Sequence, residues 1–235
     1  MKPGPDRPHM APERAPVICR DVTRFFGVRA AVRGVTLELP RASLTLLLGA
    51  NGAGKSTLLR LLAGALHPSQ GEILITGLPI RDPRARGRIG LLGHESLLQP
   101  LLTVRENLEF YAVLYGLDRP GAAARQALER VRGPHLAEIK CGELSQGMRQ
   151  KAALARTLLH QPPVLLLDEA FASLDRATVT DLREVLRELR QAGHAILLST
   201  HTEEFIHDLA DQRIQLERGR LRPAAPSPAE ARPPA

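Results

Sequence analysis

The stretch LTLLLGANGAGKSTLLRLL, residues 44–62, constrains the fold more than any other part of the chain. An apolar run, residues 44–48, is followed by a loop rich in glycine and then by leucines at helical spacing. Leu58, Leu61 and Leu62 fall on one face of a helix. A strand, a glycine-rich turn and an amphipathic helix in direct succession are typical of an α/β fold with a parallel sheet.

The loop GANGAGKST fits the pattern G-x-x-x-x-G-K-[ST] and lies between a strand and a helix, the context that this pattern requires. Gly49, Gly52 and Gly54 allow the backbone to approach a phosphate, and the helix N-terminus attracts the anion. Lys55 is expected to reach the β- and γ-phosphates, and Ser56 to hold Mg²⁺ through its hydroxyl. The alternative is a glycine-rich turn without phosphate, which the strand–loop–helix context disfavours.

Strands and helices alternate along most of the remaining chain. GEILI, VLLLDE and AILLST are typical of strands, whereas TVRENLEFYAVLYGL and TDLREVLRELRQAG have helical spacing, with Gly193 as the predicted stop of the second. The mostly helical segment from about 96 to 160 interrupts this alternation, which predicts an inserted helical subdomain. Residues 1–16 and 222–235 are rich in Pro, Ala and Arg and are predicted to be disordered tails. We therefore predict one α/β domain, residues 17–221, with a mainly parallel core sheet.

The chain has 235 residues and a formal net charge of +7, with no dense basic run and only 3% aromatic residues. Scattered arginines and few aromatic side chains disfavour nucleic-acid binding. No apolar run approaches the roughly 20 residues of a membrane span, and the N-terminal segment lacks the apolar region of a secretory signal. Cys19 and Cys141 have no metal-ligand spacing. The composition predicts a cytoplasmic protein that acts at a membrane only as a peripheral subunit.

A second site is predicted where VLLLDE ends in two acids. Asp168 and Glu169 follow a wholly apolar run, and ligands bind at the carboxyl ends of strands in open α/β sheets. Asp168 is expected to support Mg²⁺ through its water shell, and Glu169 to polarise an attacking water. An acidic strand end on the surface is the alternative, which the phosphate loop disfavours. The two motifs together indicate a nucleotide hydrolase or kinase, and the chain has no N-K-x-D motif of a GTPase.

The segment LSQGMRQ, residues 144–150, narrows the class. It resembles the signature motif, usually LSGGQ, of the ATP-binding-cassette (ABC) ATPases. Ser145 and Gly147 match this motif, whereas Gln146 and Met148 depart from its commonest form. A serine at a helix N-terminus can donate to phosphate, although on its own such a serine is more often a simple cap.

Other segments follow the motif order of the same family. SLD resembles the D-loop, whose aspartate, here Asp175, contacts the partner subunit. His201 in LLSTHTEEF resembles the switch histidine that contacts the γ-phosphate. VTRFFG resembles the segment that stacks on adenine, which assigns that role to Phe26, with Phe25 as the alternative. The resemblance covers residues 17 to about 220.

This resemblance implies a P-loop ATPase fold with a mainly parallel core sheet, an antiparallel β portion and a helical insertion. It also implies Mg²⁺-dependent ATP hydrolysis by two cassettes paired head to tail, so that Ser145 acts on ATP held by the partner. Because the chain has one cassette, it needs a second copy or a homologue, and the family's transporters also need integral membrane subunits. Residues implied to bind ATP or metal are Phe26, Gly49, Asn51, Gly52, Gly54, Lys55, Ser56, Thr57, Ser145, Gly147, Asp168 and Asp175.

The segment LLGHESLLQP has a histidine where the family usually has a glutamine. The family's switch glutamine lies nine residues before the threonine of LTVxENL, here Thr103, and that position is His94 rather than Gln99. A neutral imidazole accepts a hydrogen bond or binds a metal as an amide oxygen does, so His94 is the expected switch residue and Gln99 the alternative. Leu-Gly-His at this point resembles the ATP-binding subunit of the haem exporters used in cytochrome c maturation.

The expected function is therefore an ABC ATPase that energises export of haem or a related substrate for c-type cytochrome biogenesis. LSQGMRQ also resembles drug- and polysaccharide-type exporters, so a drug, lipid or polysaccharide exporter is the alternative. Non-transport cassettes of DNA repair need a long coiled-coil insertion, and those of translation usually have two cassettes. A P-loop kinase would leave LSQGMRQ and His201 unexplained.

Overall fold

The computed structural model describes residues 15–201 and 205–223. The strands in this part of the chain are β1 (Val17–Phe26), β2 (Arg29–Leu39), β3 (Ser43–Leu48), β4 (Gln70–Ile75), β5 (Leu78–Pro79), β6 (Ile89–Leu92), β7 (Val164–Asp168), β8 (Ala195–Thr200), β9 (Gln212–Glu217) and β10 (Arg220–Pro223). The α-helices are α1 (Lys55–Leu62), α2 (Pro83–Arg86), α3 (Val104–Leu114), α4 (Pro120–Arg130), α5 (Gln146–Leu158) and α6 (Arg176–Gln191). Two short 3-10 helices lie at Pro134–Leu136 and Cys141–Glu143.

Four strands form an antiparallel sheet in the order β2–β1–β4–β5. Val17 of β1 pairs with Leu39 of β2 and with Ile75 of β4, and all three side chains are buried. Buried and exposed residues alternate along the second half of β2 because successive side chains of a strand point to opposite faces. The buried face of this sheet packs against α1. It is the antiparallel β portion that the resemblance implied.

The second sheet has the order β10–β9–β3–β8–β7–β6, and the strands from β9 to β6 run parallel to one another. β7 and β8 are almost wholly buried, as expected for parallel strands covered on both faces. Leu48 of β3 pairs with Thr200 of β8, and Asp168 of β7 pairs with Ser199. The carboxyl ends of β3, β8, β7 and β6 therefore meet at one edge of the sheet.

The two faces of the parallel sheet pack against different layers. On one face, Leu47, Leu166 and Leu197 join a core with α1 and the antiparallel sheet. On the other face, Leu165 and Ile196 join a core with α3, α4, α5 and α6. Alternate residues of one strand thus serve two cores, as the two-residue period of a strand requires. The predicted α/β fold with a mainly parallel core sheet is confirmed.

Three α-helices, α3, α4 and α5, and the two short 3-10 helices lie between β6 and β7, in the segment predicted to be mostly helical. α3 begins at a capping box, in which Thr103 and Glu106 each satisfy a backbone N–H of the other. Val104 and Leu108 then bury one face of this helix against α4 and α5. The exact bounds of the domain and of the inserted subdomain stay predictions.

The predicted tails differ from the structure at their inner ends. Arg222 and Pro223, assigned to the C-terminal tail, continue β10 and pair with β9. The prediction is wrong for these two residues, because pairing with a neighbouring strand orders a segment whose composition alone indicates disorder. Pro16, assigned to the N-terminal tail, accepts a backbone hydrogen bond from the residue after β4. Ala15 is also described, and the other tail residues, 1–14 and 224–235, lie outside the described residues.

Candidate functional site

The glycine-rich loop between β3 and α1 is enclosed by the backbones of two strands. A Cβ atom on Gly49 would lie 2.5 Å from the carbonyl oxygen of Leu216 in β9. A Cβ atom on Gly54 would collide with the carbonyl oxygen of Ala31 in β2, and the φ angle of Gly54 is 110°. Only glycine fits at these two positions, so the fold holds the loop in shape through direct backbone contact.

The ammonium group of Lys55 lies over this loop. Its Nζ donates to the carbonyl oxygens of Gly49 at 2.6 Å and Ala50 at 3.4 Å, and it lies 3.4 Å from Glu169 Oε1. Only 7% of Lys55 is exposed. A cation with so little exposure is stable only beside anionic or carbonyl partners, and the loop and Glu169 supply both.

The start of α1 completes a cradle for an anion. Its N-cap is Gly54, which has no side-chain cap, so the backbone N–H groups of Ser56 and Thr57 in the first turn lack an intrahelical acceptor. The helix N-terminus also has a partial positive charge. Gly52 and Asn51 are exposed on the outer side of the loop. These donors and the lysine ammonium suit a phosphate chain, and the Ser56 hydroxyl lies on the same helical turn.

Two acids at the end of β7 are held in different ways. Asp168 accepts a hydrogen bond of 2.5 Å from the hydroxyl of Ser199 in β8. Glu169 has a left-handed backbone, with φ of 51°, and its N–H donates to the Ser199 carbonyl at 3.1 Å. Its carboxylate lies 3.4 Å from Lys55 Nζ and 2.9 Å from His201 Nδ1. The structure therefore brings together the three predicted residues Lys55, Glu169 and His201, with Asp168 adjacent to Glu169.

Ser199 is a site residue that no sequence motif indicates. Its hydroxyl and carbonyl hold both acids, and its side chain is fully buried within β8. The sequence signal is weak, because a serine near the end of an apolar strand is common. Its contact with Asp168 follows only from the pairing of β7 with β8.

The switch segment follows β6 at the same sheet edge. His94 lies two residues beyond the strand and is exposed. Farther along, the backbone of Gln99 makes two hydrogen bonds with the Asn107 side chain of α3, at 2.7 and 3.1 Å. The Tyr111 hydroxyl of α3 donates to the Leu97 carbonyl at 2.6 Å. The backbone around Gln99 is thus tied to the helical insertion, whereas His94 stays beside the strand ends; its switch role remains a prediction.

The signature residues form a separate group at the starts of α5 and α6. Ser145 is the N-cap of α5, and its hydroxyl accepts a hydrogen bond of 3.3 Å from the Met148 N–H. Gly147 packs so closely on Thr178 of α6 that a Cβ atom would lie 2.5 Å from the threonine hydroxyl. Asp175 caps α6, accepting from the Thr178 N–H at 2.9 Å and from its hydroxyl at 2.8 Å. These bonds, the backbone one first, lower the pKa of Asp175.

The two phenylalanines at the end of β1 have different surroundings. The Arg24 guanidinium lies 5.0 Å from the ring centroid of Phe26 and donates to the carbonyl of His67, beyond α1, at 2.9 Å. Phe25 instead lines a groove with Arg220 of β10. Phe26 is 49% exposed and Phe25 41% exposed. Both rings are partly exposed, and the choice of Phe26 over Phe25 for the base stays a prediction.

Known proteins are similar to this chain in sequence and in fold. Residues 32–172, more than half of the chain, match the family described as ABC transporter. The chain is an ABC transporter ATP-binding subunit. As a member of this family, the cassette binds ATP and is an ABC-type ATPase. Within the described residues, every helix is too short or too polar to cross a bilayer.

The relatives of the cassette differ in the direction of transport that their names state. It is 38% identical over 210 residues to the Nod factor export ATP-binding protein I of Burkholderia lata, covering 88% of this chain and 69% of the relative. It is also 38% identical over 208 residues to the aliphatic sulfonates import ATP-binding protein SsuB of Pseudomonas entomophila, covering 87% and 74%. It is similar to the dimeric structure of MJ0796, a bacterial ABC transporter cassette, with a TM-score of 0.80, 25% identity and coverage of 87% and 96%.

Proposed function

We propose that the cassette hydrolyses ATP at the sheet edge, with the γ-phosphate beside Lys55 and His201. The observation that carries this proposal is the position of the Glu169 carboxylate, 3.4 Å from Lys55 Nζ and 2.9 Å from His201 Nδ1. Glu169 accepts a proton from the attacking water while a new P–O bond forms and the bond to ADP breaks. Lys55 and His201 stabilise the charge on the γ-phosphate, and such preorganised charge supplies most of the acceleration.

The residues at this edge also fit Mg²⁺. Ser56 offers a hydroxyl on the first turn of α1, and Asp168 offers a carboxylate held by Ser199. Mg²⁺ is commonly bound by one or two protein oxygens, with phosphate oxygens and water completing the shell. When bound, Mg²⁺ would neutralise charge on the phosphate oxygens.

We propose that two cassettes pair head to tail. Ser145 and Asp175 are exposed at the starts of α5 and α6, and within the described residues none of their hydrogen bonds reaches the phosphate loop. A second cassette would bring its ATP to Ser145, and the similar cassette MJ0796 is a dimer in its solved structure. The pair is a homodimer or a pairing with a homologous subunit.

Integral membrane subunits are the second proposed partner. α3 exposes three large apolar side chains, Phe110, Val113 and Leu114, and Leu101 ahead of the helix is exposed as well. Several exposed apolar side chains on one short helix are typical of a protein contact surface. We propose that membrane subunits dock here, beside the switch segment, which would place the cassette peripherally at the cytoplasmic face of the membrane.

For the substrate, we propose export of haem or a related compound for c-type cytochrome biogenesis. This rests on the segment Leu92-Gly93-His94, which has histidine at the switch position. The names of the two relatives state other substrates, a Nod factor and aliphatic sulfonates. LSQGMRQ supports the alternative, a drug, lipid or polysaccharide exporter. A non-transport ABC protein is the weakest alternative, because the exposed apolar face of α3 would then have no membrane partner.

The test is purification of the tagged full chain in mild detergent, with mass spectrometry of the subunits that accompany it. We expect integral membrane proteins with haem absorbance, and ATPase activity that haem stimulates and that Lys55→Ala abolishes. Stimulation by a drug, lipid or polysaccharide without haem absorbance would favour the alternative exporter. A complex without membrane proteins would contradict the transport proposal while leaving ATP hydrolysis intact.

A further inference from the structure

Two glutamines on one face of α5 hold the loop that follows Glu169. Gln150 Nε2 donates to the Ala170 carbonyl at 2.9 Å, and Gln146 Nε2 donates to the Ala172 carbonyl at 3.2 Å. Side chains four residues apart lie next to each other on a helix, which allows the two amides to reach alternate carbonyls of one loop. We call these two residues, Gln146 and Gln150, the amide clamp.

The loop needs such support because Glu169 has a strained backbone. Its φ of 51° is rare for a residue with a side chain, and such a conformation persists only where the surroundings fix it. On one side, the Glu169 N–H donates to Ser199, at 3.1 Å to the carbonyl and 3.2 Å to the hydroxyl. On the other side, the Ala172 N–H closes a turn by donating to the Glu169 carbonyl at 3.0 Å. The clamp ties this turn to α5.

Gln146, one residue of the clamp, lies at a position where LSQGMRQ differs from the common signature motif LSGGQ. LSGGQ has glycine at the position of Gln146, and glycine has no side chain to make this hydrogen bond. Gln146 is the first residue of α5, directly after the N-cap Ser145, and Gly147 beside it packs on Thr178 of α6. The clamp therefore links the signature end of α5 to the loop that contains the acid of the chain's own ATP site.

We propose that the amide clamp holds Glu169 in the orientation that activates water. Gln146 and Gln150 are then positioning residues, because they contact the backbone beyond Glu169 and not the reacting atoms. This inference rests on the proposed function, in which Glu169 accepts the proton of the attacking water. Loss of a clamp bond lets the carboxylate leave its productive orientation, so turnover falls. ATP affinity is unchanged, because the phosphate loop and Lys55 are untouched.

The test measures kcat, KM and Mg-ATP affinity on the full chain. Gln150→Met keeps the length of the side chain and removes the donor, and we expect kcat to fall about three- to tenfold with ATP affinity unchanged. Gln150→Glu places an acceptor against the Ala170 carbonyl and should lower kcat further. Gln146→Met should lower it about two- to fivefold, because this amide is more exposed. Gln126→Met, at an exposed position of α4, is the matched control and should keep the wild-type kcat; thermal unfolding checks that each variant folds.

The deciding measurement combines Gln150→Met with Glu169→Gln. If the clamp acts through Glu169, Gln150→Met lowers kcat in the wild-type chain but not in the Glu169→Gln background. An equal loss in both backgrounds, or wild-type kcat in folded Gln150→Met and Gln146→Met, would overturn the proposal. Wild-type kcat in Glu169→Gln would instead overturn the proposed function, so the two failures are distinguishable.

Discussion

The edge of the parallel sheet and the starts of α5 and α6 both have residues expected to contact ATP, but they use their polar groups differently. At the sheet edge, the Glu169 carboxylate contacts both Lys55 and His201, which follow β3 and β8 in the chain. At the helix starts, the Ser145 hydroxyl and the Asp175 carboxylate each cap their own helix. The contacts of the first group join residues that are far apart in the sequence. The contacts of the second group join residues three positions apart.

This difference indicates which contacts form within one folded chain and which contacts need a second cassette. Folding of one chain brings the charged cluster together, because β3, β7 and β8 are neighbours in the sheet. Ser145 and Asp175 already cap their own helices within one chain. In the proposed function they contact ATP only when a second cassette brings it to them. The two groups should therefore respond differently to mutation, to a second chain and to pH.

The largest expected effect is at the sheet edge. Glu169→Gln keeps the size of the side chain but removes the base, so kcat should fall roughly 10²- to 10⁴-fold while Mg-ATP still binds. Lys55→Ala should lose binding as well, because it removes the buried cation from the phosphate loop. The measurements are steady-state phosphate release and equilibrium nucleotide binding. Glu188→Gln, an exposed acid of α6, is the control; a Glu169→Gln chain as active as that control would contradict the assignment.

Mixed dimers test whether the helix starts serve the partner's ATP. Lys55→Ala and Ser145→Arg chains should each be inactive alone, because every composite site contains one lesion. A mixed dimer has one site with both lesions and one site with neither. An equimolar mixture should therefore recover about a quarter of wild-type activity, since about half of the dimers are mixed and each has one intact site of two. Confirmed mixed dimers without any recovery would contradict the shared site.

The sequence predicts the charged residues at the sheet edge, but not Ser199 beside them or the strand β10, and the reason is physical. Glu169 directly follows β7, and Lys55 begins the helix after the glycine-rich loop that follows β3. The apolar runs of both strands are visible in the sequence, and the carboxyl ends of parallel strands meet at one edge. Ser199 was missed because its contact with the acids depends on strand order, which no local pattern contains. The same holds for Arg222 and Pro223, whose composition indicates a tail but whose pairing with β9 forms a strand.

A smaller effect is expected at the end of β1, where two adjacent phenylalanines are the candidates for stacking on the base. Phe26→Ala should raise the KM for ATP roughly tenfold if its ring stacks on the base, since stacking on an aromatic side chain contributes about 1–3 kcal/mol. Phe25→Ala should change KM little, because Phe25 lines a different groove with Arg220. Binding of inorganic tripolyphosphate, which has no base, should be unchanged in both variants. A larger KM effect for Phe25→Ala would reverse the assignment.

The switch segment should show a smaller effect still. His94→Gln restores the residue that the family usually has there and should keep most of the ATPase activity. His94→Ala removes the nitrogen acceptor and should lower kcat about two- to tenfold, because one hydrogen bond contributes about 0.5–1.5 kcal/mol net. Gln99→Ala is the matched variant, and its side chain should matter less because its backbone is already tied to Asn107. Equal activities of wild type and His94→Ala would remove the switch role from His94.

The smallest effect concerns the cap of α6 and appears as a pH dependence of stability. Hydrogen bonds from the Thr178 N–H and hydroxyl lower the pKa of Asp175 in the folded chain. Its ionised form therefore stabilises the fold above the unfolded pKa of about 3.9, and this contribution is lost as the pH falls through the lower folded value. Asp175→Asn caps a helix about equally well but does not titrate. The Tm of wild type minus that of Asp175→Asn should thus be larger at about pH 7 than at about pH 3. Thr178→Val removes one donor to the carboxylate and should shrink this change. A Tm difference that does not change with pH would contradict the cap. The Asp175 carboxylate would then be available to contact a partner before two cassettes meet.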